Sequence, residues 1–162
     1  MLTVAGPIVW TACWLTTVVC AVLAARSPRA VRVGRIAVGV LMLVGGALFN
    51  AVTLAQDNDY ADFADPSPFP WITRTWRAVV PPQHVVLIGL LVVFEAVVGL
   101  LLLSGGRRAR LGYVCAIGFH LLLWLFGWFE LGYCLLMLPA LVLLLRAERR
   151  EAAAGEPAPV AR

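Results

Sequence analysis

The chain has 162 residues, 62% of them apolar and 14% charged, with a formal net charge of +4. A soluble globular domain holds about 45–50% apolar and about 25% charged residues, so this balance excludes a disordered chain, a basic nucleic-acid-binding module and an ordinary soluble enzyme. What fits is an all-α, polytopic transmembrane helix bundle: its first partner is the lipid bilayer, the one solvent in which such faces stay uncovered, and no nucleic-acid partner is expected.

Residues 2–25 hold no charge and are long enough to cross a bilayer core of about 30 Å. No basic residue precedes them and they exceed the apolar core of a signal peptide, so they read as an uncleaved first span. Cys13 and Cys20 share a face of that helix but lie too far apart along its axis to bond, which leaves packing as their role. Residues 26–35 carry Arg26, Arg29, Arg32 and Arg35 without an acid and read as a short basic loop. Residues 36–55 form the second span, in which Gly39, Gly45 and Gly46 allow a neighbouring helix to come close and the amide of Asn50 can bridge helices.

Residues 56–83 are the long polar stretch. Asp57, Asp59, Asp62 and Asp65 come first, then prolines, then Trp71, Arg74, Trp76 and Arg77. The aromatics suit a membrane–water interface, and residues 73–80 read as a short amphipathic helix. The acids lack a calcium-loop pattern and read as a solvated loop. His84 opens the third span, residues 84–103, as an interfacial residue, and Glu95 is the single acid within it. Residues 104–111, with Arg107, Arg108 and Arg110, form a second basic turn.

Residues 112–145 would measure roughly 51 Å as one helix at about 1.5 Å per residue, too long for one crossing. Their centre, Gly127 to Gly132, has the makings of an interfacial turn. The expectation is therefore a fourth span at 112–127, a fifth at 131–146 and a disordered tail at 147–162. Five spans gather Arg26, Arg29, Arg32, Arg35, Arg107, Arg108, Arg110, Arg146, Arg149, Arg150 and Arg162 on one side, against Arg74 and Arg77 on the other. The alternative of four spans divides the arginines seven to six. The positive-inside rule prefers five, with the N-terminus out and the C-terminus in. The expected setting is the cytoplasmic membrane of a bacterium.

Glu95 and His120 fall near mid-depth on adjacent antiparallel helices, where they can meet as a proton-handling pair. With Asn50 they form the candidate buried polar site. The structural alternatives are a protonated carboxyl bonded to a neighbouring helix and a satisfied core histidine. Asp57, Arg74, Arg77 and Glu130 are candidates for an outer mouth. No metal site, phosphate loop or catalytic triad is spelled by the spacing. Two histidines, one of them near the surface, do not make a bis-His haem site. Cys115 and Cys134 lack the spacing of a redox motif.

The stretch FEAVVGLLLLSGGRRARLGYVCAIGFHLLL places an acid (Glu95), a glycine four residues on (Gly99), an apolar run, a glycine turn (Gly105-Gly106) and arginines before the next helix. With RIAVGVLMLVGGALFNA from Arg35, it resembles the DoxX-like family of small integral membrane proteins over residues 32–146. The resemblance implies a DoxX-like four-helix bundle with one extra N-terminal helix. It further implies a non-catalytic subunit or adaptor of a membrane redox or envelope complex, with a membrane-protein partner or a second copy of itself beside it. The second reading is a quinone- or lipid-binding oxidoreductase component using Glu95 and His120, with a quinone as its cofactor; the third is a small-solute transporter. The extra helix, the long acidic loop and the missing family lysine depart from the family pattern.

Overall fold

The computed structural model describes residues 2–154, and side chains from residue 8 onward. The described residues form helices α1 (Leu2–Leu23), α2 (Pro28–Leu54), α3 (Pro70–Val79), α4 (His84–Ser104), α5 (Gly106–Leu123) and α6 (Trp128–Ala154), with no strand among them. Four stretches are long and apolar enough to cross a membrane: Pro28–Leu54, Pro70–Ser104, Gly106–Phe126 and Trp128–Ala154. Within α1, Ile8–Leu23 is a shorter apolar helix.

Helix α2 begins earlier than expected. Ser27 is its N-cap, its hydroxyl accepting from the Ala30 amide at 3.3 Å, and Pro28 occupies the first turn, where a missing N–H costs nothing. The supposed basic loop is therefore mostly helix. Further along, Leu41–Leu48 is π-helical. A residue inserted into an α-helix turns everything beyond it by roughly 100°, so the face carrying Asn50 is not the one an unbroken helix would present.

Helix α4 stops where Gly105 adopts φ +75° and Gly106 φ +58°, values that L side chains resist and glycine accepts without strain. The expected break in the last apolar tract is real and falls at Gly127. A short 3-10 turn, Trp124–Phe126, precedes it and α6 starts at Trp128. The final helix is longer than expected at both ends. It starts at 128 rather than 131, and residues 147–154 continue it instead of belonging to a disordered tail. The rest of that tail, 155–162, lies outside the described residues.

Val38, Val98, Leu102, Tyr113, Met137 and Leu141 are buried at the centre, where α2, α4, α5 and α6 meet, and α1 packs Thr17 and Ala21 against them. Gly39 and Gly99 face each other where α2 crosses α4. A Cβ on Gly39 would lie 3.3 Å from the Gly99 carbonyl oxygen, and one on Gly99 would lie 3.0 Å from that of Gly39. Close backbone approach of this kind is how helices associate in lipid. On the outer face of α4, Val85, Val86, Leu90, Val93, Val97 and Leu100 are exposed, an apolar surface suited to hydrocarbon.

Candidate functional site

The last turns of α2 meet the middle of α4 across a notch. Gly46 leaves the room in which the Glu95 carboxyl sits: a Cβ there would lie 2.6 Å from Glu95 Oε1. One turn on from Gly46, Asn50 Nδ2 donates to Glu95 Oε2 at 2.9 Å. Glu95 is only 4% exposed, so this bond offsets part of the cost of its burial.

His120 is buried on α5. Its Nδ1 lies 2.7 Å from the Ala116 carbonyl oxygen, which can only accept, so Nδ1 carries the proton. Nε2 then accepts from the Tyr133 hydroxyl at 2.9 Å, and the Cys134 thiol lies 3.4 Å from the His120 carbonyl oxygen. The expected meeting of Glu95 with His120 is thus not formed. Each closes onto its own partner, Asn50 from α2 and Tyr133 from α6. The π-helical stretch Leu41–Leu48 runs up to the turn of α2 that carries Asn50, and the phase of α2 there sets the Asn50 amide on the Glu95 carboxyl.

Both pairs nevertheless line one cavity of about 550 Å³, together with Glu130. That volume is within the range of small-molecule sites, about 300–1,000 Å³. Its walls are apolar, and the polar groups converge at a few points. The side chains that both line it and are exposed are apolar as well: Phe49, Phe63, Leu122 and Phe129. Access therefore lies through hydrocarbon-compatible surface.

The end of the cavity is roofed by residues 55–69 and α3. Tyr60, Phe63 and Trp76 reach into its lining. Trp76 Nε1 donates to the Tyr60 carbonyl oxygen at 2.7 Å, and the Tyr60 hydroxyl lies 3.1 Å from the Asn50 carbonyl oxygen and 3.3 Å from its Oδ1. Ser67 Oγ donates to the Leu125 carbonyl oxygen at 2.6 Å, and Thr73 Oγ1 to that of Ala64 at 2.8 Å. Tyr60 holds φ +59°, an uncommon conformation away from glycine, under these restraints. Burial holds its phenol above the ordinary range, so it remains a donor at neutral pH.

Of the proposed outer-mouth residues, only Glu130 lines the cavity. Asp57 and Arg74 are exposed and apart from it, and Arg77 is held by Asp65 at 2.7 Å on the surface. His84 Nδ1 bonds the Pro81 carbonyl oxygen at 2.8 Å at the start of α4, away from the cavity. All four cysteines are free thiols. Among the described residues no group of three or more His, Cys, Asp or Glu side chains is gathered as a metal site would require. Sequence reasoning missed Tyr133, Tyr60 and Trp76. The only available signal was the excess of aromatics beside the polar stretch, which an interface anchor explains equally well.

Comparison of the chain with family models, with curated proteins and with solved structures finds no match.

Proposed function

We propose that this protein is a membrane-embedded binding component that holds a lipophilic small molecule in the cavity between α2, α4, α5 and α6. In this reading it has no catalytic activity alone and serves a membrane redox or envelope complex beside a protein partner or a second copy of itself. The resemblance to DoxX-like proteins is part of the proposal, resting on the acid, glycine and arginine pattern from Glu95 to Arg110. So are the five spans, the bacterial cytoplasmic membrane, and the orientation with the N-terminus out and the C-terminus in. A quinone or a lipid is a molecule of the right class. The observation that carries the reading is the cavity: lined by apolar walls, reached through exposed apolar side chains, and furnished with two hydrogen-bonded polar pairs.

Decylubiquinone, which quenches tryptophan fluorescence, tests this reading in nanodiscs, with Trp10 and Trp76 on the cavity wall as reporters. Quenching is expected to saturate near one molecule per protein. The double variant Ile88→Phe, Leu91→Phe, which fills the cavity from α4, is expected to weaken it at least tenfold. Quenching that rises linearly with the membrane concentration of the quinone, identically in both proteins, overturns the reading.

A further inference from the structure

Cavity chemistry is lopsided in a way that neither its volume nor its apolar walls require. Two carboxyl groups, Glu95 and Glu130, line it, and no arginine does, although the chain holds 13. Nine of the 22 lining residues are Phe, Tyr or Trp. Aromatic faces attract cations, more strongly once water is excluded.

Hydrogen-bond accounting points the same way. The polar hydrogens of Tyr60, Trp76, His120 and Tyr133 are all committed to acceptors within the protein, which leaves the Trp10 indole N–H and the second Asn50 amide hydrogen as the uncommitted side-chain donors of the lining among the described residues. Asn50 spends one amide hydrogen on Glu95 Oε2. Among the described residues, neither Glu95 Oε1 nor either oxygen of Glu130 accepts from a protein donor. What the cavity has to spare is chiefly the acceptor capacity of its two carboxyl groups. A neutral head with only carbonyl acceptors finds few free donors there. A cationic head finds a counter-charge at Glu95 and aromatic faces around it, and it supplies the positive charge that a carboxylate in a membrane otherwise lacks.

We propose that, among lipophilic molecules, the cavity selects those with a cationic head, an amine or quaternary ammonium, which sits between Glu95 and the aromatic walls while its hydrocarbon body lies toward Phe49, Leu122 and Phe129. This rests on the reading of the cavity as a binding site for lipophilic molecules and adds the charge of the ligand to it.

The test compares three probes of equal chain length in zwitterionic nanodiscs: 10-bromodecyltrimethylammonium, 10-bromodecanol and 10-bromodecanoate. Bromine quenches nearby tryptophan, and each probe is referred to its measured concentration in protein-free discs. The cation is expected to saturate at a concentration at least tenfold below the alcohol, with the carboxylate weakest. Glu95→Gln is expected to reduce the cation's advantage over the alcohol to threefold or less. The comparison among probes needs only the unaltered protein, so it stands even where the variant fails to fold. Saturable binding of the alcohol with no advantage for the cation overturns the charge selection and leaves the cavity as a binding site. An advantage unchanged in a folded Glu95→Gln protein also overturns it. Loss of saturable binding for all three probes and for decylubiquinone overturns both readings.

Discussion

A methyl group on Gly46 would lie 2.6 Å from Glu95 Oε1 and 2.7 Å from Glu95 Cδ. The carboxyl cannot swing aside freely, because Asn50 holds its other oxygen at 2.9 Å. Either the Asn50–Glu95 bond breaks inside a poorly hydrated site or α2 moves away from α4, and both are costly. Gly46→Ala is therefore expected to destabilise the protein by about 1–3 kcal/mol. A second substitution, Glu95→Ala, removes the atoms in conflict, so the pair of changes should cost less than the sum of the two alone by more than about 0.5 kcal/mol. Equilibrium unfolding in mixed detergent micelles measures all four corners of this cycle. Additive effects would mean that the notch is not what accommodates the carboxyl.

The roof of the cavity is held on by a handful of polar contacts and a small aromatic cluster, Phe63, Phe69 and Trp76 against Trp124 and Phe126, whereas the helices beneath it are held by an extended apolar core. Opening of the roof alone should thus need less free energy than unfolding of the bundle. Trp76→Phe keeps a ring against Phe63 and Phe126 but removes the bond to the Tyr60 carbonyl oxygen. Amide exchange across residues 56–69 is expected to quicken about three- to tenfold, while α4 and α6 exchange as before, as mass spectrometry of peptic fragments would register. Uniform quickening throughout, or none in the roof, would contradict a separately opening roof. The same contrast explains what the sequence could and could not disclose. Hydropathy is a property of each segment by itself, so the apolar helices and the break inside residues 112–145 are legible from composition and from the glycines. The start of α2 is also written in the chain, as the capping pair Ser27-Pro28, although the acid-free arginines at 29, 32 and 35 have the composition of a basic loop. Pairing of Glu95 with Asn50 depends on the phase of α2 beyond the π-helical stretch Leu41–Leu48. A one-residue change of helical phase leaves no mark on a hydrophobic pattern this uniform. Trp76 reads as an interface anchor because an interface and a roof ask for the same residue types, and no spacing singles out Tyr60.

Over the whole molecule, the two ends differ in charge, and that difference fixes the orientation to be tested. Arg35 on α2 meets Glu148 on α6 at 3.3 Å, which ties the start of one helix to the finish of another. Arg107, Arg108 and Arg110 begin α5 beside them, and Arg35 lies against Gly105. At the opposite end the roof carries Asp57, Asp59, Asp62 and Asp65 with only Arg74 and Arg77. Arginines are retained on the cytoplasmic side during insertion, while Asp and Glu count for little. The four apolar stretches between Pro28 and Ala154 would make an even number of crossings and keep the arginine-rich end together on that side; reading residues 112–145 as one uninterrupted crossing would make the number odd and move the last cluster, Arg146 to Arg150, across the membrane from Arg35 and its neighbours. With Arg35 and Glu148 in contact, the latter arrangement would place bonded partners on opposite faces of the bilayer. Single cysteines introduced at Asp65 and Arg150, in a chain whose four native cysteines are replaced by alanine or serine, are then expected to react differently with a membrane-impermeant maleimide. Residue 65 should label on intact cells and residue 150 only after permeabilisation. Equal labelling of the two on intact cells would put them on one face, and neither the five-span arrangement nor the Arg35–Glu148 contact could survive that result.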